Sequence, residues 1–300
     1  MSAASNSKAP APKASGDRAG VLYIVSTPIG NLEDITLRAL RTLKEVDVIA
    51  CEDTRQTLKL LSHFDIHKPL VSYHEHNEIT RAAELVIELE QGAKIALVSD
   101  AGTPAISDPG QHLVTLALRH GIRIVPIPGP SAAVAALAAS GVPNEQFTFV
   151  GFLPSRQSER RRALRDLTGE LRTLVLYEAP HRLLDTLEDA VEILGNRPAT
   201  IARELTKVHE EFLRHPLQDL AAAVRAKPLK GEITLLIGPD IHNAEPLEAD
   251  PSSRVIPLAR RVDEIMKQRG IDRKAALKQA ARERGLTKRE AYRQLLITRE

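Results

Sequence analysis

Short apolar runs alternate with longer stretches whose apolar residues recur at helical spacing. VLYIVS (21–26), VDVIAC (46–51), LVSY (70–73), IALVS (95–99) and IRIVPI (122–127) read as five strands. Between them, TLRALRTLKEV and RAAELVIELEQG carry helical patterns, and Gly92 and Gly121 fall where helix C-caps belong. This βαβ alternation predicts a mostly parallel sheet. After an Ala-rich segment (131–140), FTFVGFL (147–153), TLVLYEA (173–179), ATIARE (199–204) and EITLLIG (232–238) read as strands of a second α/β unit. Helices are expected there over 158–167, 181–194 and 217–226. HNAEPLEADPSS (242–253) is polar and contains proline, as a linker does. Beyond it the pattern is all helical: VIPLARRVDEIMKQRG, DRKAALKQAARERG with Asp272 as N-cap, then LTKREAYRQLLI with a Thr287–Glu290 capping box. Short helices joined at a glycine predict a helix-turn-helix.

Composition narrows the class. The 300 residues are 43% hydrophobic and 27% charged, which describes a globular protein large enough for two domains. The first twenty residues are rich in Ala, Ser, Pro and Lys and lack an apolar core, so a disordered tail is expected rather than a secretory signal. No window is apolar for long enough to span a membrane. Cys51 is the single cysteine, which excludes an internal disulfide framework and fits a reducing cytoplasm. Residues 251–300 hold 14 Lys+Arg against 6 Asp+Glu, and the other 250 hold 27 against 33. A basic end on an acidic body points to a polyanionic partner.

The chain has no G-x-G-x-x-G and no Walker-type phosphate loop, which argues against a dinucleotide or nucleoside-triphosphate site. His74 and His76 form an H-x-H without a recognisable metal spacing, so no metal is expected. Ser99 and Ser131 lack a nucleophile elbow. Four strand ends are unusual instead: STPIGNLEDIT (26–36), where Asp34 is the expected helix cap; CEDTR (51–55); SDAGTPAISDPG (99–110); and PIPGPSA (126–132), where Ser131 is the expected N-cap. The strand C-termini of a parallel sheet all face one side, so these loops converge on one small-molecule cradle.

Taken in order, STPIGNLEDIT, CEDTR, SYHEHNE, SDAGTPAISDPG, PIPGPSA, YEAPHR, ARELTKVHEE and GEITLLIG resemble the ribosomal RNA small subunit methyltransferase I family, a branch of the tetrapyrrole (class III) methyltransferase superfamily. The resemblance covers about residues 21–300. It implies two α/β domains of tetrapyrrole-methylase type with S-adenosyl-L-methionine between them and a helix-turn-helix appendage. It also implies 2′-O-methylation of a cytidine in the decoding region of 16S ribosomal RNA, by a cytoplasmic homodimer with no membrane association. The expected division is a tail over 1–20, an N-terminal domain over 21–128, a C-terminal domain over 129–241, a linker over 242–252 and the appendage over 253–300.

Motif by motif, the resemblance places Ala101, Gly102, Thr103, Pro104 and Ile106 around the methionine part of the cofactor. Thr103 replaces the superfamily's aspartate, so a hydroxyl and backbone take over from a carboxylate. It adds Pro28 from the first loop, Ser131 and Ala132 from the P-G-x-[ST]-[AS] turn, and Tyr177, Glu178, Ala179 and Leu205 from the second domain's strand ends. A ribose hydroxyl is a weak nucleophile, so a proton acceptor is expected. Asp100 is favoured, then Glu204, with Glu52, Asp53, His74 and Lys207 as weaker candidates and His209 close by. For RNA, Arg156, Arg160, Arg161, Arg162 and Arg165, together with Lys288, Arg289 and Arg293, are the expected phosphate contacts. Two other readings stay open: a class III enzyme acting on a tetrapyrrole or diphthamide, and a metabolite-sensing DNA-binding regulator.

Overall fold

The computed structural model describes residues 20–240, 262, 265–267 and 270–283. It divides into two compact units, Met1–Ile241 and His242–Glu300. Gly20, the last residue assigned to the tail, is tied to the first unit: its N–H donates to the Leu89 carbonyl (3.1 Å). Residues 1–19 of that tail and the 242–252 linker lie outside the described residues.

The first sheet contains β1 (Val21–Val25), β2 (Val48–Cys51), β3 (Leu70–Ser72), β4 (Lys94–Val98) and β5 (Arg123–Ile127), in the order β3-β2-β4-β1-β5. Every pairing is parallel. Helices α1 (Leu37–Glu45) and α2 (Thr54–His63) cover one face, where Ile49, Cys51, Ala96 and Val98 meet Ala39, Leu43 and Leu61. Helices α3 (Glu78–Glu90) and α4 (Gln111–Arg119) cover the other, where Leu22, Ile95 and Leu97 meet Leu85, Leu113 and Ala117. Burial on both faces explains why these strands read as continuous apolar runs. The cap of α1 is Thr36, whose Oγ1 accepts from the Ala39 N–H at 3.1 Å; Asp34 sits instead in a 3₁₀ turn over Leu32–Asp34.

Strands β1 and β4 are neighbours, yet β1 leads on towards β2 and β4 towards β5, so their connections leave in opposite directions. Such a switch opens a crevice at the strand C-termini. The two exits are tied by a short antiparallel bridge: Thr27 and Gly102 exchange backbone hydrogen bonds at 2.9 and 3.1 Å.

The second sheet contains β6 (Phe147–Phe152), β7 (Thr173–Glu178), β8 (Pro198–Arg203), β9 (Glu211–Pro216) and β10 (Ile233–Ile237), in the order β6-β7-β10-β8-β9. Only β6–β7 is parallel; the other three pairings are antiparallel. This unit is therefore α/β in content but mixed in direction, and β9 is an additional edge strand. One face packs on α6 (Gln157–Asp166), α7 (Leu183–Leu194) and α8 (Leu217–Ala226). The other packs on α5 (Ala132–Ser140) and on Ile29 from the first loop.

In the C-terminal unit the described residues include a helix over Arg273–Glu283, capped by Asp272, whose Oδ1 accepts from the Ala275 N–H (2.7 Å). Val262, Ile265, Ala276, Leu277, Ala280 and Ala281 bury one another. The third expected helix, with its Thr287–Glu290 box, lies outside the described residues. Among the described residues no helix is long and apolar enough to cross a membrane.

Candidate active site

A cavity of about 400 Å³ opens between the exits of β1 and β4 and the edge of the second sheet where β7 and β8 end and β10 begins. The first sheet contributes Ile29 from the β1 exit and Asp100, Ala101, Gly102, Thr103, Ile106, Ser107 and Asp108 from the β4 exit. Ser131 and Ala132 come from the start of α5. The second sheet contributes Phe152, Tyr177–Pro180, Ala202, Leu205 and Gly231–Thr234. The last four belong here because β10 runs antiparallel: Ile233 pairs with both Glu178 and Arg203, so the start of β10 meets the ends of β7 and β8.

The loops that supply the walls hold several residues in the left-handed region. Gly102 has φ +81°, Ala105 +67° and Ser107 +62° in one loop; Glu204 has +51° and Thr206 +65° in the segment leaving β8. Non-glycine residues in the left-handed region cost about 1–3 kcal/mol each and cluster at functional sites. Ser131 occupies the N-cap position of α5, but its hydroxyl makes no capping bond, which leaves it for a ligand. Thr103 Oγ1 lies 2.9 Å from Ser26 Oγ and donates at 3.5 Å to the Pro130 carbonyl, joining three loops. Ala101, Gly102, Thr103, Ile106, Ser131, Ala132, Glu178 and Leu205 therefore line one cavity, together with Asp100. Pro28 and Pro104 are buried behind it and do not line it. The Glu178 carboxylate faces inward, accepting from Thr186 Oγ1 (2.6 Å) and the Ala179 N–H (2.8 Å) and pairing with Arg182 (3.1 Å).

Tyr177 and Ala179 line the cavity too, while Ile29, Ser107, Asp108, Phe152, Pro180, Ala202 and Gly231–Thr234 complete the lining but were absent from the sequence-derived set of contacts. Ile29 follows Pro28 directly. The start of β10 falls in the GEITLLIG motif, but local pattern does not reveal strand direction and so did not place it at the cavity.

The acids divide by environment. Asp100 accepts from the Asp53 N–H (3.1 Å), joining the β4 and β2 exits at the cavity rim. Asp53 caps α2 through the Arg55 N–H (2.8 Å), and hydrogen bonds from Arg55 hold its pKa down at about 2. Glu52 borders a neighbouring polar hollow, lined also by Glu75, Glu78 and Asp108. Burial, then repulsion by Asp100, Asp108, Asp53 and Glu75, raises its pKa. Asp108 is raised by burial and by Asp100, against a hydrogen bond from Ser99. His74 lies beside His76, ring centroids 5.9 Å apart, and its buried Nδ1 lacks a hydrogen-bond partner among the described residues. Glu204 and Lys207 lie outside the lining and are paired at 2.9 Å.

A carboxyl whose folded pKa is raised binds its proton more tightly in the folded chain, so its ionised form opposes folding. Glu52→Gln is accordingly expected to raise the thermal midpoint at pH 7.5. The gain should shrink as pH falls through the raised pKa and vanish below the unfolded value, 4.5. Thermal scans at pH 4 and 7.5 check this; an equal shift at both would contradict it.

The arginine cluster is not uniform. Arg160 is buried and does not fit a phosphate contact: its Nε donates to Asp189 Oδ2 (2.8 Å). Arg161 pairs with Asp189 (2.9 Å) and Glu192. Arg156, Arg162 and Arg165 remain exposed. Lys288, Arg289 and Arg293 lie outside the described residues.

The sequence pattern of the family described as Tetrapyrrole (Corrin/Porphyrin) Methylases matches residues 21–221. A ribosomal RNA small subunit methyltransferase I from Halalkalibacterium halodurans is 52% identical over 276 residues, covering 92% of this chain and 94% of that protein. Its counterpart from Synechocystis is 47% identical, covering 91% of this chain and 96% of that protein. Among solved structures, diphthine synthase aligns with TM-score 0.56 at 15% identity, covering 73% of this chain and 90% of that one. Uroporphyrin-III C-methyl transferase from Thermus thermophilus, complexed with S-adenyl homocysteine, aligns at 0.52 and 21%, covering 72% and 97%. With its cavity set between the two sheets and its close relatives matched along nearly their whole length, this chain belongs to the tetrapyrrole methylase family, in the group of ribosomal RNA small subunit methyltransferase I proteins.

Proposed function

We infer that the chain transfers a methyl group from S-adenosyl-L-methionine to the ribose 2′-hydroxyl of a cytidine in the decoding region of 16S ribosomal RNA. The observation that carries this reading is the cavity of about 400 Å³, which falls within the roughly 300–1,000 Å³ usual for cofactor sites. Its polar and apolar walls suit the two halves of such a donor. Ala101–Thr103 and the uncapped Ser131 hydroxyl would hold the amino-acid end, and Ala202, Leu205 and Ile233 would enclose the adenine. Bound there, S-adenosylmethionine supplies an electrophilic methyl on a cationic sulfur. Asp100 and Asp108 line the cavity, and carboxylates near a sulfonium favour it over the neutral thioether left after transfer.

The chain's own task is chiefly alignment, since holding reacting atoms close and in line supplies much of an acceleration. Asp100, at the rim, is the group we assign to take the proton of the ribose hydroxyl. Phe152, 54% exposed on the same rim, offers a stacking surface to a base drawn out of the RNA. Arg162 and Arg165 would hold phosphates beyond it. The same reading carries the cytoplasmic homodimer, with light scattering as the check on subunit number.

The direct test is labelled-methyl transfer to naked 16S RNA and to 30S particles, with the modified nucleotide mapped. Transfer to a cytidine 2′-oxygen is expected; labelling of a porphyrin instead would overturn the acceptor assignment. Replacing both Arg162 and Arg165 by glutamate is expected to raise KM for the RNA about tenfold or more and to leave donor affinity unchanged, since each lost phosphate contact weakens binding without touching the cavity.

A further inference from the structure

Glu204 and Lys207 sit beside the cavity without entering it, yet they connect three of its walls. The segment leaving β8 holds two L-residues in the left-handed region, Glu204 and Thr206, with Leu205 between them pressed into the lining. That geometry needs an external restraint, since each such residue costs about 1–3 kcal/mol. The restraint is visible. The Glu204 N–H donates to the Glu232 carbonyl (2.9 Å), and Glu204 Oε1 accepts the Glu232 N–H (2.9 Å). Lys207 Nζ donates to Glu204 Oε1 (2.9 Å) and lies 3.1 Å from Glu232 Oε2. Gly231, at φ +90°, backs so closely on the Glu204 side chain that no Cβ would fit.

The third wall is reached through the lysine stem. A Cβ on Gly30 would lie 2.5 Å from Lys207 Cγ and 2.9 Å from Thr206 Oγ1. Lys207 therefore presses on the β1 exit next to Ile29, another lining residue.

We propose that Glu204, Lys207 and Glu232 form a clasp that preorganises the donor cavity by locking Leu205, Ile29 and the Gly231–Thr234 segment together, so that Glu204 and Lys207 are positioning residues for the methyl donor and carry no proton in the reaction. The Glu232 N–H and then Lys207 lower the Glu204 pKa, which suits a fixed anion and makes it a poor proton acceptor. The proposal rests on the donor reading of the cavity, and it does not depend on the identity of the acceptor.

The test uses the full chain and its Lys207→Met variant, whose unbranched side chain keeps the stem over Gly30 and removes the charge. S-adenosylhomocysteine is titrated by calorimetry, amide exchange is followed in the ligand-free protein, and methyl transfer to 30S particles is measured at varied donor. The expected result is a Kd about tenfold or more weaker, faster exchange at the Glu232 amide, KM for the donor raised in step and kcat within about twofold. Lys207→Arg should restore most of the affinity. If Lys207→Met does not fold, Glu204→Gln, which keeps the shape and weakens the ion pair, is read the same way. An unchanged Kd, or a tenfold loss of kcat with a displaced pH profile, would overturn the clasp. Wild-type protein that binds S-adenosylhomocysteine but leaves 30S particles unmodified would remove the acceptor assignment and leave the clasp standing. Wild-type protein that binds none would remove both the donor reading and the clasp.

Discussion

Gly102→Val is expected to leave the protein folded and to weaken S-adenosylhomocysteine binding at least about a hundredfold, roughly 2.7 kcal/mol. Gly102 lies at the switch between β1 and β4, with φ +81° and both backbone groups engaged by Thr27. Space for the first carbon is not the obstacle: a Cβ would stand 3.5 Å from Ile29 Cγ2 and 3.9 Å from the Pro130 carbonyl, ordinary contact distances. The obstacle is conformation, because a β-branched residue strongly resists positive φ. Relaxing that angle breaks the Thr27 bridge and moves Ala101 and Thr103, which line the cavity. Keeping it directs the valine methyl groups towards Ile29 or the donor. The local strain of about 1–3 kcal/mol is smaller than the usual stability of a domain, about 5–15 kcal/mol, so folding should survive. Gly102→Ala should lose less affinity, since alanine tolerates the left-handed region better than valine. Calorimetry and circular dichroism together decide the matter, and normal affinity in the valine variant would mean that this loop is not the cradle.

The same loop shows why much of the site was legible in the sequence. Burial on both faces leaves continuous apolar runs, so KIALV and VLYIV announce parallel strands, and glycines and prolines concentrated just after them mark exits that a ligand can approach. The second sheet was harder to read. Its β10, ITLLI, has a strand-like composition whichever way it runs, and only its antiparallel pairing with β7 and β8 brings Gly231–Thr234 to the cavity. Strand β9 was missed because Glu211–Pro216 lies at the sheet edge, with Arg214, His215 and Pro216 exposed, so it shows no clear two-residue alternation. Glu204 is a subtler case. The sequence offers it as a second proton acceptor after Asp100, whereas its φ of +51° and its hold on Glu232 are tertiary facts that no local pattern carries. Thr36 displaced Asp34 as the cap of α1 for a local reason: a 3₁₀ turn intervenes, and the helix begins one residue after the threonine.

Asp189→Ala should be the most destabilising single change among the charged positions, although the sequence offers all five neighbouring arginines as phosphate contacts. Asp189 and Arg160 are both nearly inaccessible, with side chains 4% and 3% exposed. The Asp189 carboxylate takes Arg160 Nε at 2.8 Å on one oxygen and Arg161 Nη1 at 2.9 Å on the other, joining α6 to α7 over the second core. Removing the aspartate leaves a guanidinium buried with only the weak Ser155 carbonyl contact (3.5 Å). Breaking one side of a buried pair costs about 3–5 kcal/mol. At about 2–4 °C per kcal/mol for a domain of this size, the thermal midpoint should fall by roughly 6–20 °C. The double change Arg160→Met with Asp189→Leu removes both charges together and should recover much of that loss, because burying matched apolar groups avoids the uncompensated charge. Arg162→Ala, on the exposed side of the same helix, should leave the midpoint within about 1–2 °C, since surface substitutions usually stay within about 0.5 kcal/mol. Calorimetric unfolding of the four proteins separates the two kinds of arginine: a midpoint in Asp189→Ala no lower than in Arg162→Ala would show that this pair contributes nothing to holding α6 against α7.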